Sequence, residues 1–478
     1  MPIDEEYFQS EEFQELLDGY EASIESGSHP FMDADDLVDI ADYYSFHDDM
    51  EKAEEVINYA LELYPDATLP NVFKARDALS RFDFDGADNY AQNISDKDDP
   101  DYHYLLAEIL IAQNKIGEAD EYLRQYGKEV EPDEFGDFVK DVANLYIDYN
   151  INDKAYEWMM RCADDQSDDF KELMARTLFG LGKYKDSERI FNELIDHNPY
   201  SKRYWNALSS AQYMNEDYSN AVTSSEYAIA IDPQDPESLL SKANGLFRLG
   251  NYEEAAKYFE RYDQQGGPDG FSLLHRGVCL LNLNRRDEAI KLFEQALQVS
   301  ATEDDISCLP QIYQELAFCY SSQKQLAKAL DMLDKADELP CDHTELLIIR
   351  GHILLENDDL AGAATIFKQA ILKSEGDPNI LLRIMVSLYD NRYVDACYYM
   401  LKKLLHMTEK SKKPFNEGYA YMALFCYDKG YADEFLEYLQ KAVTHNPNEA
   451  RVVLGFLFPP ETQVSDYYEY MARKINGA

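Results

Sequence analysis

Residues 202–235, KRYWNALSSAQYMNEDYSNAVTSSEYAIAIDPQD, decide the fold. In the first half Trp205, Leu208 and Ala211 fall at helical spacing. Glu216-Asp217-Tyr218 then turns the chain, and Ala221 to Ile231 supplies a second apolar stripe. Asp232-Pro233 stops that stripe, because proline cannot continue a helix. The stretch predicts two short helices joined by a tight turn.

Outward from it, the same unit returns in both directions. A small residue recurs with a larger residue three places before it: Met50 with Ala53, Phe84 with Ala87, Ile116 with Ala119 and Tyr184 with Ser187. Tyr218 with Ala221, Tyr252 with Ala255 and Leu360 with Ala363 continue the series. Gaps of 34, 32, 34 and 34 residues do not arise from one core folded once. They describe one supersecondary unit stacked along an axis.

These residues resemble the tetratricopeptide repeat (TPR) family, in the manner of its multi-repeat bacterial members. Counted from Lys202, the family pattern asks for Trp, Leu, a small residue, Tyr, Ala, a large hydrophobe, Ala and Pro at successive key positions. Trp205, Leu208, Ser209, Ala221, Ala228 and Pro233 meet it. Gln212 stands where Tyr is expected and Ser225 where the large hydrophobe is expected. The small positions let helices approach to about 8–10 Å, and the large ones fill the layers between.

In that frame 34–67, 168–201, 236–269, 270–305, 310–343 and 344–376 are clear copies. Weaker ones occupy 68–99, 100–133, 136–167, 377–412 and 416–449, the last ending in Asn446-Pro447. The resemblance implies an all-α fold, an α-solenoid in the form of a right-handed superhelix of about twelve helix-turn-helix units. It divides the chain into an N-terminal acidic capping helix (1–33), the array (34–449) and a C-terminal capping helix (450–478). Residues 5–26 read as one amphipathic helix, with Phe8, Phe13, Leu16, Leu17, Tyr20 and Ile24 inward. At the other end Tyr468, Met471 and Ile475 are expected to face the core, after an irregular turn at Phe456–Pro460. The pulse widens at two joints, Ser300–Pro310 and Met407–Phe415, the second lying between Ala396 and its equivalent near Phe435.

Composition narrows function. The chain has 478 residues, 45% hydrophobic content and a net charge of −48. Residues 1–100 hold 28 acidic and 5 basic side chains, a local balance of −23. Such a field repels phosphate backbones, so no nucleic-acid partner is expected. The acidity reads either as a solvating surface or as a docking face for a basic partner. No signal sequence or membrane span is read, and none of the seven cysteines forms a Cys-x-x-Cys pair; the expected setting is cytoplasmic, with no membrane partner.

Catalytic signatures are lacking. There is no phosphate loop, nucleophile elbow or His-Glu-x-x-His, and repeats and caps consume the chain. Arg81-Phe82-Asp83-Phe84-Asp85-Gly86 superficially suggests a calcium loop, but Arg81 and Gln92 occupy positions that need acidic ligands. No enzyme, metal or cofactor is expected. Basic residues at the seventh position of five repeats, Lys74, Lys242, Arg276, Arg350 and Arg383, read as long stems lying along the packing.

The family resemblance places ligands on a concave face lined by the first helix of each unit. Its lining positions give Lys140, Asn144, Arg176, Phe179, Arg203, Asn206, Tyr213, Asn244, Phe247 and Arg248, across repeats four to seven. Arg can hold a carboxylate bidentately and Asn can bond an extended backbone. The resemblance to carboxylate-clamp members is partial: Lys140, Asn144 and Arg203 fit, whereas Leu173 replaces an Asn and Ala207 a basic residue. The expectation is a non-enzymatic scaffold that binds a protein or peptide in that groove. The alternatives are a self-assembling structural protein and, more remotely, a peptide-sensing regulator, for which no DNA-reading helix is present.

Overall fold

A computed structural model describes residues 5–8, 10–27, 31–47, 49–303, 306–409, 415–459 and 462–476. Every regular element among them is a helix. The chain divides into two compact units, Met1–Pro233 and Gln234–Ala478, each an α-solenoid of paired helices.

The first unit holds six repeats. Their helix pairs are Ala34–Phe46 with Met50–Leu63, Thr68–Ser80 with Phe84–Asn93, and Pro100–Ala112 with Ile116–Tyr126. Phe135–Asp148 with Asn152–Met159, Asp168–Gly180 with Tyr184–His197, and Lys202–Met214 with Tyr218–Ile231 follow. The second unit holds Pro236–Arg248 with Tyr252–Gly266, Gly270–Asn282 with Arg286–Glu303, and Leu309–Ser322 with Leu326–Asp337. It continues with His343–Glu356 and Leu360–Lys373, Pro378–Asp390 and Val394–Thr408, and Tyr419–Lys429 and Ala432–His445.

Every small residue of the pulse is buried at the crossing of its pair: Ala53, Ala87, Ala119, Ser187, Ala221, Ala255 and Ala363. A backbone marker runs beside it. Each described turn between the two helices holds one left-handed residue, among them Phe82, Asn114, Glu216, Lys324 and Arg392, with Gly182, Gly250 and Gly430 in equivalent places. In the sixth repeat the Asp217 amide then reaches back to the Gln212 carbonyl at 2.9 Å, which closes the first helix and launches the second.

Acidity has a local use. Ten aspartates, from Asp33 and Asp49 to Asp359 and Asp377, are N-caps whose carboxylates accept amide hydrogens of the first turn. A negative cap satisfies an orphan donor and complements the helix dipole. Asp83 is one of them, accepting from the Gly86 amide at 2.9 Å, which accounts for the calcium-like run at Arg81–Gly86.

The departures at Gln212 and Ser225 are each satisfied by hydrogen bonds within the repeat. Ser224 donates to the Gln212 side chain at 2.7 Å, and both Ser209 and Ser225 donate to the Ala221 carbonyl at 2.9 Å. A satisfied polar layer replaces the usual apolar one. Repeats eight and ten solve the crossing differently: Gly277 and Gly351 leave room for Phe293 and Phe367, whose rings lie 2.3 Å from where a Cβ would stand.

The structure corrects several expectations. The N-terminal segment is two helices, Glu5–Phe8 and Glu11–Glu25, because Ser10 caps the second through the Phe13 amide. Phe8, Phe13, Leu17 and Tyr20 pack on Leu37, Ile40 and Tyr44 of the first repeat, but Ile24 is exposed past the end of that contact. In repeat eleven the small position is Cys397, not Ala396: Cys397 is buried against the Met385 carbonyl at 3.2 Å, and Ala396 is exposed. That one-residue shift removes Arg383 from the seventh position.

At the C-terminus Asn446-Pro447 closes the second helix of the last repeat, as expected. Asn446 ends one helix and caps the next, Pro447–Leu454, so the expected boundary at 449–450 falls inside a helix. In the final helix, Tyr467–Asn476, Tyr467 and Met471 are buried, whereas Tyr468 is only partly covered and Ile475 is exposed. Residues 304–305 and 410–414 of the two joints, and Pro460 of the irregular turn, lie outside the described residues.

Candidate functional site

First helices pack side by side through repeats one to five of the first unit and repeats eight to eleven of the second, so their outward positions form a face in each. Three of the basic stems of the seventh position point elsewhere, toward the preceding second helix. Lys74 meets Glu54 at 3.1 Å, Arg350 meets Asp334 at 2.6 Å, and Arg276 bridges Asp263 and Glu260. Lys242 lies over the Tyr258 ring, donating to its hydroxyl at 2.8 Å. Lys74, Arg276 and Arg350 are inter-repeat staples, whereas Lys242 ties the two helices of its own repeat. Arg383, displaced by the shift in register, pairs instead with Glu345 on the neighbouring first helix.

Seven of the ten residues assigned to the groove lie in the first unit. Arg176 and Asn144 come together across repeats four and five, at 3.5 Å. Arg203 pairs with Glu172, a half-buried carboxylate that the sequence reading passed over. Burial pushes the Glu172 carboxyl up, and Arg203 and Arg176 pull it back toward the charged form. Lys140 is held by Asp137 at 2.7 Å, one turn away. Asn206 is buried within its own repeat. The stripe is therefore a network of matched charges rather than a row of bare cations.

The aromatic residues of the stripe share one geometry. Phe179, Tyr213 and Phe247 each pack edge-on against the first residue of their own second helix: Tyr184 at 5.5 Å, Tyr218 at 5.2 Å and Tyr252 at 5.7 Å. Such pairs favour a fixed inter-helix turn, so part of each ring serves packing. In the second unit Phe247 also meets His275 at 5.3 Å, and Asn244 and Arg248 lie on the same helix. Burial holds His275 toward its neutral form.

The same face carries a second feature in repeats one to three that the sequence reading did not single out. A trough of about 600 Å³ opens there, with Phe8, Val38 and Val72 as buried walls and Asp39, Asp42 and Asp101 among them. Asp39 accepts the Tyr7 hydroxyl at 2.7 Å. Arg76, the cation at this face, is occupied by Glu108 at 2.9 Å. A smaller recess of about 270 Å³ continues the trough past Tyr104, Glu108 and Asp141 to Asn144, which joins it to the predicted stripe. Tyr104 donates to Asp141 at 3.0 Å.

Electrostatics here run against charge. Burial, and then the neighbouring Asp39, push the Asp42 carboxyl up to about 6, with Arg76 offsetting part of the shift. Burial and Asp99 raise Asp101, and burial raises Asp141. The signal was readable: the lining positions that gave Arg176 in repeat five give Asp42, Arg76 and Glu108 in repeats one to three.

Two family models match parts of the chain. A tetratricopeptide repeat model covers residues 173–236, and the model for anaphase-promoting complex, cyclosome, subunit 3 covers residues 214–296. The anaphase-promoting complex subunit 3 of Schizosaccharomyces pombe is 22% identical over 194 residues, 40% of this chain and 28% of that protein. A TPR repeat-containing protein of Methanocaldococcus jannaschii is 22% identical over 326 residues, 66% of this chain and 51% of its own length. The chain thus spans about half or less of the curated relatives it matches. Among solved structures, yeast Tom70 is similar at a TM-score of 0.42 and 15% identity, over 93% of this chain and 96% of that one. The Cut9–Hcn1 hetero-tetramer is similar at 0.35 and 15%, over 95% of each chain.

Proposed function

We propose that this chain is a tetratricopeptide-repeat protein that acts as a non-enzymatic scaffold, binding a protein or peptide on its first-helix face. The residues assigned to binding are Lys140, Asn144, Arg176, Phe179, Arg203, Asn206 and Tyr213 in the first unit, and Asn244, Phe247 and Arg248 in the second. The observation that carries the reading is the Arg176–Asn144 and Arg203–Glu172 cluster, which presents bidentate donors and amide groups on a face built from several repeats. One relative is by name a subunit of a larger complex, which agrees with an assembly role. The proposed setting is cytoplasmic, since all seven cysteines are free thiols, and the acidic surface argues against nucleic acid. No described helix is long and apolar enough to cross a membrane.

The test is capture of partners from the native cell by the full chain, followed by mass spectrometry. The comparison is between wild type and Arg176→Ala/Arg203→Ala/Arg248→Ala. Loss of a specific partner in the triple variant supports the placement, and an unchanged set of partners rejects it.

A second reading, self-association, is favoured by the C-terminal end, where Val452 and Phe456 are 81% and 71% exposed. Apolar side chains in water next to a terminal repeat invite a copy of the chain or a further layer. Light scattering over a concentration series separates the two readings. A strict monomer at high concentration eliminates this one.

A further inference from the structure

We propose that the trough on repeats one to three binds a basic amphipathic peptide, its cations meeting Asp39, Asp42 and Asp101 and its apolar side resting on Met50, Leu69 and Phe73, the accessible apolar side chains of the lining. The proposal rests on the reading of the first-helix face as a binding face, and names the chemistry of what binds there.

Three observations support it. First, carboxylates that serve only solubility belong in open water, where they cost nothing; here they stand between apolar walls in a recess of about 600 Å³. Second, their charge is matched from within only in part, by the field of Arg76. Asp42 and Asp101 make no side-chain hydrogen bond or ion pair among the described residues, and Arg76 is taken by Glu108. Burial holds both carboxyls above the usual carboxylate range, a penalty that an incoming cation relieves. Third, the recess has both parts that a basic amphipathic ligand needs, a carboxylate row and an apolar surface from two neighbouring repeats. An acidic or purely apolar partner leaves this field uncompensated.

The experiment is fluorescence anisotropy with the full chain and a labelled leucine/lysine helical peptide of about 18 residues, roughly five turns. A leucine/glutamate peptide and a lysine-only peptide of equal length serve as comparisons. The leucine/lysine peptide is expected to bind at least about tenfold tighter than either, with affinity falling as salt is raised. Asp42→Asn/Asp101→Asn is expected to weaken it about tenfold or more. Glu51→Gln/Glu62→Gln, which removes the same charge from the exposed side of the first repeat, is expected to change it less than about twofold.

Equal losses in the two pairs would mean that the peptide reads only net charge, and would overturn the proposal. So would equal binding of the lysine-only peptide. Asp141→Asn, in the adjoining recess, provides a second variant with an intermediate expected loss. The peptide assay reads the trough, whereas cell capture reads repeats four to seven. Failed peptide binding with partner capture intact defeats this proposal alone, and the reverse result defeats only the broader placement.

Discussion

Phe82 occupies the turn of the second repeat with φ of 59°, a conformation that crowds any Cβ and that asparagine or glycine fills in several other repeats. Its ring is 80% exposed, so little packing offsets the strain. Phe82→Gly is expected to stabilise the first unit by about 0.5–1 kcal/mol, the relieved strain exceeding the added entropy of the unfolded chain. An increase in the urea midpoint at constant slope checks it.

Asp42 gives a pH prediction with a definite sign. Its folded carboxyl, pushed up to about 6, takes a proton more readily than the unfolded one, whose ordinary value is 3.8. The penalty is absent below the unfolded value, grows as pH rises through this window, and is complete above it. Asp42→Asn removes it. The variant's advantage over wild type is expected to be largest at pH 7 and to vanish near pH 4, as read by melting temperatures across pH. A constant difference at all pH values would contradict the assignment.

At the scale of elements, each helix pair has one crossing and more than one way to fill it. Gly351 with Phe367 is a cavity and a plug, and Ser209 with Ser225 is a hydrogen-bonded layer. Alanine in place of a helical glycine usually gains about 1 kcal/mol in propensity. At Gly351 the new Cβ would meet the Phe367 ring at 2.3 Å, and overpacking of about 1–3 kcal/mol wins. Gly351→Ala is therefore expected to be destabilising. Adding Phe367→Leu should cost less than the two single changes summed, which a double-mutant cycle reads directly. The sequence legibly marked these positions as small and large; that they trade off in pairs needed the packed crossing.

For the molecule as a whole, repeats contact mainly their neighbours, so stability adds up locally rather than through one central core. Residues 1–233 and 234–478, produced separately, are each expected to be helical by circular dichroism and to unfold cooperatively in urea. A fragment lacking a sigmoidal transition would show that this division is not a division of stability.

The repeat, its two-helix content, the number of pairs and all but one of the small crossing residues are legible in the chain's order alone, because periodic apolar spacing and turn punctuation act within about 34 residues. The family pattern also assigned polar residues of repeats four to seven to the lining positions of their first helices. What those residues meet emerged on packing: Arg203 is answered by Glu172, Phe179 leans on Tyr184, and Cys397 rather than Ala396 fills its crossing. Packing alone separated the acidity into helix caps and a trough in which Asp42 and Asp101 have no hydrogen-bonded or ion-paired partner among the described residues. The reason is physical. Apolar patterning is a property of one helix, whereas the charge felt at Asp42 depends on Asp39, Arg76 and the walls from neighbouring repeats, a sum that exists only once they are stacked.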